Sequence, residues 1–366
     1  MRILQLIQKQ QLRGAEMFAA QLSTHLQNQG HEVLMVSLQG GNADLPFSGD
    51  IISLDANLNN RFFDFRGWKK LAKIIQEFEP DIVQANAGDT LKYAIFSKKL
   101  FRWNLPVVFR NASMVSSYIR NPISKALIRY LFSQTQRFIS VSEFTQKDLI
   151  EKLAILTAQT TVIPIGIELK PIQKLDAFNN GKINLVHVGG FSFEKNHMGL
   201  LSIFKEALMQ EAQLFLWLIG DGPLKKEVEA KAKEMGIETH IRFVGFVSNP
   251  LDYIHSADML LLPSIIEGLP GVIVEAFYCK TPVIANNVGG ISELINHNHT
   301  GYLLEKGNEK GFAAHIIKMV NLDANEKNKR IEKAYALAME KYNNEQIAIS
   351  FATEYHHLVN VVSRKK

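Results

Sequence analysis

One pattern recurs along the chain and restricts its fold more than any other. A short apolar run of strand length is followed by a polar or glycine-bearing loop and then by an amphipathic helical stretch. Residues 2–6 read as a buried strand, 15–29 as a helix ended by Gly30, and 31–36 as a second strand. Strands over 51–54, 80–86, 106–109, 138–141 and 161–164 continue the series, with helices over 64–78, 90–101, 122–132 and 143–153 between them. Such alternation builds a parallel sheet with helices on both faces. It stops once, over 165–180, where Pro171, Asn179, Asn180 and Gly181 break it, and restarts with a strand over 182–188. The expected organisation is two doubly wound α/β domains, 1–168 and 182–345, joined by a linker at 169–181 and followed by a helix over 346–366.

Composition excludes several classes. Hydrophobic residues make up 46% and charged residues 21% of the 366, which suits globular domains rather than disorder. A single cysteine, Cys279, rules out a disulfide framework. No run approaches a membrane span, and the apolar start at 1–7 is too short for a signal peptide, so a cytoplasmic location is expected. Residues 1–180 carry 21 Lys/Arg against 15 Asp/Glu, whereas the remainder is nearly balanced. The basic half could face an anionic membrane or a phosphorylated acceptor. Nucleic acid is not expected, because zinc spacing, RNA-binding aromatic motifs and a basic arm are all missing.

The densest chemistry follows the strand at 257–262. Pro270-Gly271 opens a helix with apolar residues at helical spacing over 272–278. A helix N-terminus at a strand end attracts negative charge through its free N–H groups. Yet this loop carries Glu267, and Glu275 lies about two turns into the helix. Two acids beside an anion-attracting end cannot both be phosphate ligands; they suit hydroxyls. The combination describes a ligand with both phosphates and hydroxyls, a sugar nucleotide. Taken singly, either glutamate reads equally well as a solvated acid. A second strong segment is Val188-Gly189-Gly190, with Lys195 at the next helix entrance. A glycine turn and a compact cation there suit a diphosphate and its departure as a leaving group. Gly14, at the first helix entrance, either lets a phosphate approach the backbone or makes a tight turn. Gly220-Asp221-Gly222-Pro223 lacks a third glycine and a ribose-holding acid, so it is a weak nicotinamide signal. His187 reads as a core histidine, and His197 and His255 as residues on helix surfaces.

The spacing from Glu267 to Glu275 resembles the paired-glutamate motif of retaining GT-B glycosyltransferases of family 4. The continuation Thr281-Pro282-Val283-Ile284-Ala285-Asn286-Asn287-Val288-Gly289-Gly290-Ile291-Ser292-Glu293-Leu294 is similar to that family's next segment. Gly14-Ala15-Glu16 resembles its Gly-Gly-Ala-Glu loop, with Arg13 in place of the first glycine. Glu194-Lys195 resembles its Glu-Lys element, and Phe243-Val244-Gly245-Phe246 the segment whose backbone meets the nucleobase. The resemblance covers nearly the whole chain and is most specific in the second domain.

It implies the GT-B architecture: two Rossmann-like doubly wound domains facing a central cleft, with the final helix crossing back to the first. It implies transfer of a sugar, with retention, from a nucleotide diphosphate sugar to a glycan or lipid-linked acceptor in cell-surface polysaccharide or lipopolysaccharide synthesis. A UDP-sugar is favoured, with a GDP-sugar as the other donor type. Glu275 would hold the ribose and Glu267 the sugar hydroxyls. The backbone of Gly268, Leu269, Pro270, Gly271 and Val272 would line the sugar. Lys195 with Gly14 and Gly190 would hold the diphosphate, and Val244 would meet the base. Lys195, Glu267 and Asn111 are the expected catalytic residues. No cofactor and no metal are expected, since the chain shows no Asp-x-Asp site.

Three departures stand out. The family's arginine five residues before the lysine is Gly190 here, and Arg13 and Arg110 are the cations that could replace it. The histidine common after the strand at 107–109 is absent; Arg110-Asn111-Ala112-Ser113 stands there. The family's Asn-Gly is Ile165-Gly166. These leave open a sugar-nucleotide-binding protein without transfer activity, and more distantly an NAD-dependent oxidoreductase. The basic, aromatic run Lys98-Lys99-Leu100-Phe101-Arg102-Trp103, with Lys125, Arg129 and Arg137 nearby, reads either as a solvated face or as a peripheral contact with the inner face of a membrane.

Overall fold

The computed structural model of the chain describes residues 1–60 and 62–363 and divides into two compact units. One comprises Met1–Glu168 together with the chain from Asn344 onward, the other Leu169–Asn343. The second unit therefore begins at the first linker residue, and the linker folds with it. Gln173 and Leu175 donate their backbone N–H groups to Asp252 and Ser256.

The first unit alternates β1 (Arg2–Lys9), α1 (Gly14–Asn28), β2 (Glu32–Gln39), β3 (Ile51–Ser53), α2 (Phe65–Phe78), β4 (Ile82–Ala85), α3 (Gly88–Phe101), β5 (Val107–Asn111), α4 (Pro122–Ser133), β6 (Arg137–Ser140), α5 (Glu143–Lys147) and β7 (Thr160–Val162). Among the described residues these strands form one parallel sheet in the order β3-β2-β1-β4-β5-β6-β7. The chain runs outward from β1 in one direction and from β4 in the other. Strands such as β4 and β5 are buried throughout, as both-face helix cover requires. Trp68, Leu71, Ile74 and Ile75 of α2 pack one face with Leu91 and Ile95 of α3. Phe18, Leu22 and Leu26 of α1 cover the other.

The second unit alternates β8 (Ile183–Val188), α6 (His197–Leu208), β9 (Leu214–Ile219), α7 (Lys225–Glu234), β10 (Ile241–Gly245), α8 (Pro250–Ser256), β11 (Met259–Leu262), α9 (Gly271–Tyr278), β12 (Val283–Asn286), α10 (Ile291–Leu294), β13 (Tyr302–Leu304), α11 (Glu309–Val320) and α12 (Ala324–Lys341). Its parallel sheet has the order β10-β9-β8-β11-β12-β13. Here the direction of winding reverses between β8 and β11. In open α/β sheets that reversal, at the carboxyl ends of the strands, is where a crevice forms.

The final helix, α13 (Asn344–Ser363), belongs to the first unit. Ile347, Phe351 and Tyr355 pack with Phe18, Leu22 and the strand residues Ile3 and Val108. Beneath α13 lies a buried polar network. Tyr355 Oη donates to Gln84 Oε1 and accepts from Gln5 Nε2, while Asn86 Nδ2 reaches Gln5 Oε1 at 2.9 Å. Buried amides must find partners, so this network fixes where the helix sits. Tyr355→Phe leaves Gln5 and Gln84 short of a partner and is expected to cost about 1–3 kcal/mol of stability, read from denaturant melts; an unchanged midpoint would refute the locking role.

Candidate functional site

The second unit gathers its chemistry along one edge of its sheet, the carboxyl ends of β8 to β12. The chain leaves β8 through Gly189 and Gly190, whose neighbours are tied to β9 and the turn after it. Gly189 N–H donates to Ile219 O at 2.9 Å and Phe191 N–H to Asp221 O at 3.0 Å. This contact leaves no room at Gly220: a Cβ there would lie 2.1 Å from Gly189 O, and the backbone has φ +133°. The Gly-Asp-Gly-Pro turn is thus a packing device. Asn196, in the left-handed region at φ 54°, then caps α6 by accepting from Gly199 N–H at 3.2 Å.

The loops after β8 and β11 are joined to each other. Ile265 N–H donates to Glu194 O at 2.7 Å, and Asn196 Nδ2 donates to Pro263 O at 3.0 Å. From the other side, Asn286 at the end of β12 donates to Pro263 O and Ser264 O. Gly290 N–H donates to Gly268 O at 2.8 Å. At Gly289, with φ +58°, a Cβ would fall 1.9 Å from Glu267 O. Only glycine allows that approach. The backbone carrying Glu267 is therefore clamped from three sides.

At the junction Lys195 Nζ donates to Glu267 Oε1 at 2.6 Å. The lysine side chain is 23% exposed and the glutamate 10%. The pair spans the gap between β8 and β11, the point of reversal. Glu275, on α9, is half-buried by its surroundings. Burial pushes its carboxyl up to about 7, and the charge of Lys195 only partly offsets this. Among the described residues no side chain caps the first turn of α9, which begins at Gly271 behind Pro270. Val244 is half-buried near the end of β10, where Gly220 N–H donates to Gly245 O at 2.8 Å. Among the expected site residues, Gly190, Lys195, Val244, Glu267, Gly268, Leu269, Pro270, Gly271, Val272 and Glu275 all belong to this edge of the second unit.

Two buried histidines lie behind this junction. His187 is a core residue, fully buried with Nδ1 2.8 Å from Leu261 O. His197, expected on a helix surface, is instead 2% exposed. It stacks on Phe191 at 4.0 Å and meets His187 edge-on at 4.7 Å. As the first residue of α6 it faces the sheet. Burial holds both imidazoles well below their ordinary range, so neither adds positive charge beside Lys195. Asn196, Asn286 and Gly289 position these loops but carry only weak signals in the sequence, an asparagine just before a helix being the signal for the first.

In the first unit, Gly14 opens α1 with nothing near the position of a Cβ, and Arg13 is exposed beside it. Asn111 is fully buried, its amide donating to Thr145 O at 3.1 Å and Ser140 Oγ at 3.4 Å. Arg110 is also enclosed, with its guanidinium 4.0 Å over the Phe18 ring and near Tyr355 and Glu16. An open hollow of about 300 Å³ at the carboxyl ends of β1 and β2 is lined by Lys9, Gln39, Gly40, Asp55 and Ala56.

Two α/β units, each built on one parallel sheet, make up the GT-B glycosyltransferase fold. The family described as Glycosyltransferase Family 4 matches residues 12–170, and Glycosyl transferases group 1 matches 171–337. The chain belongs to the group 1 glycosyltransferases. It is 30% identical over 175 residues to the N-acetyl-alpha-D-glucosaminyl L-malate synthase of Bacillus anthracis, covering 48% of this chain and 45% of that protein. It thus spans about half the length of the first curated relatives it matches. A longer match, 23% identical over 361 residues, is to the alpha-monoglucosyldiacylglycerol synthase of Streptococcus pneumoniae, covering 91% of this chain and 81% of that one. Among solved structures, Anabaena HepE in complex with UDP-glucose is similar in fold, with TM-score 0.82, 20% identity and coverage of 96% and 99%.

The raised Glu275 carboxyl has a stability consequence. Below its ordinary value of 4.5 the group is protonated folded or unfolded, and its contribution is neutral. As pH rises toward about 7, the unfolded chain releases a proton that the folded one keeps, so stability falls and then levels off. Glu275→Gln is expected to remove up to about 3 kcal/mol of that decline, seen as a higher melting temperature than wild type at pH 8 and near equality at pH 4; parallel curves at both would refute it.

Proposed function

We propose that the protein transfers a sugar from a nucleotide diphosphate sugar, most readily a UDP-sugar, to a glycan or lipid-linked acceptor with retention of configuration. The observation that carries this is the Lys195–Glu267 ion pair, held at the point of reversal by loops after two neighbouring strands. In this reading the diphosphate takes the ammonium and the first amides of α9, and the sugar hydroxyls take Glu267. The ribose hydroxyls donate to Glu275, and the backbone near Val244 meets the base. As the bond from the sugar to the β-phosphate oxygen breaks, Lys195 stabilises the charge that develops there. The acceptor oxygen bonds to the same face of that carbon and its proton passes to the departing phosphate. Asn111, with its amide already engaged, acts as a support for its surroundings. The ammonium and the helix amides supply the positive charge, with neither metal nor cofactor required.

The names of the relatives, a glucosaminyl malate synthase and a glycolipid synthase, support sugar transfer, and a fold shared with a UDP-glucose complex supports the donor type. The glycolipid synthase among the relatives and the basic first unit support a lipid-linked acceptor and a role in cell-surface glycan synthesis at the cytoplasmic face of a membrane. A donor panel of UDP- and GDP-sugars with mass detection is the test, together with NMR of the product anomer. Lys195→Ala is expected to lower kcat/KM by about 10²–10³, and Glu275→Ala to weaken UDP binding. Binding of a donor without hydrolysis or transfer to any acceptor would favour a binding protein instead, and wild-type turnover in both variants would remove the assigned site.

A further inference from the structure

We infer that α4 is a docking helix by which the first unit rests on an anionic lipid surface. The inference rests on the membrane-facing part of the reading above, but its test uses neither donor nor acceptor, so the two can fail separately.

The helix is firmly built yet poorly covered. Asn121 caps it, accepting from Ser124 N–H at 2.8 Å, and Pro122 sets its first turn. Only Leu131 and Phe132 are buried, with Leu127 and Ile128 half-buried against the core. Ile123, in that capped first turn, is 83% exposed, the highest value for a large hydrophobic among the described residues. Tyr130 is 41% exposed and Ala126 is exposed as well. At helical spacing these three fall within roughly 60° of one another, and Lys125 and Arg129 form the adjoining flank. The solvent face of α4 thus has an apolar edge beside a cationic edge, the arrangement of a helix lying in a membrane interface.

The surroundings point the same way. Residues 90–142 contain no Asp or Glu and nine Lys/Arg. Four of the nine are engaged: Lys92 with Asp89, Lys98 with Leu105 O, Arg137 with Glu354, and Arg110 inside the unit. The other five, Lys99, Arg102, Arg120, Lys125 and Arg129, are exposed, and none forms an ion pair among the described residues. Leu100 and Phe101 are exposed at the end of α3, which packs against α4. A second copy of the chain is a poor occupant, because a two-fold contact through this face would set Lys125 and Arg129 against themselves. An anionic bilayer matches both edges at once: its headgroups meet the cations and its acyl boundary the isoleucine and tyrosine.

The test is co-sedimentation of the full chain with phosphatidylcholine vesicles, with and without a third of phosphatidylglycerol. Binding to the anionic vesicles is expected to be stronger by about tenfold and to weaken as salt rises. The double change Lys125→Glu with Arg129→Glu is expected to abolish the preference, while circular dichroism and an unchanged melting temperature confirm that the variant is folded. An environment-sensitive dye on Ile123→Cys is expected to shift blue with anionic vesicles only. Equal binding to both vesicle types, an unshifted dye, wild-type binding by the double variant, or a dimer in solution that Ile123→Ser disperses would each overturn the assignment.

Discussion

The ion pair between Lys195 and Glu267 sets the terms for the second unit. Two opposite charges 2.6 Å apart, mostly withdrawn from water, contribute little net stability, because desolvation offsets their attraction. Their backbone is nonetheless fixed by hydrogen bonds from Asn196, Asn286, Ile265 and Gly290 and by a glycine at 289 that tolerates no side chain. So much scaffolding around so weak a contributor makes sense if the pair is a preset that exchanges partners. An incoming diphosphate can take the ammonium, and hydroxyls the carboxylate, with no net loss of paired charge and little movement of the loops.

The electrostatics around the pair sharpen its role. His187 and His197 lie close enough to matter, yet burial keeps both neutral. The positive charge beside them therefore comes from Lys195, with neutral imidazoles behind it. Glu275 sits on the other side of this balance. Its carboxyl is held high by burial, so near neutral pH it exchanges readily between an acceptor-only form and one that can also donate. A ligand that offers hydroxyl protons favours the ionised form. The destabilising burial of Glu275 and its usefulness to a polyhydroxyl ligand are one property seen from two directions.

Strand–helix alternation made the two-sheet organisation legible, because period and length together separate strands from helices in a chain of this kind. The strand ends after β8 and β11 were legible too, since glycines, a lysine and two glutamates there have no role in a core. What escaped depends on direction. His197 looked like a helix-surface residue, but the first turn of α6 faces the sheet. Arg110 and Asn111 sit on a strand buried along its whole length, where hydropathy does not distinguish a face packed under α13 from one turned to a ligand. Left-handed Asn196 and the tight approach at Gly289 are tertiary facts with only weak local signatures.

The first unit shows why its share of the site was harder to read. Its strand residues at the positions where polar side chains would be taken as ligands, Gln5, Gln84 and Asn86, are instead bonded to one another and to Tyr355 of α13. The guanidinium of Arg110 lies beside them against Phe18, close to the buried Glu16 at the start of α1. Burial pushes the Glu16 carboxyl up, and Gln11 counters by donating to it. A segment remote in sequence thus depends on polar groups next to the loop that carries Gly14. Loosening α13 removes partners from Gln5 and Gln84 first, and the start of α1 shares their packing through Phe18. The polar residues of this unit are better understood as the joint that holds its last helix.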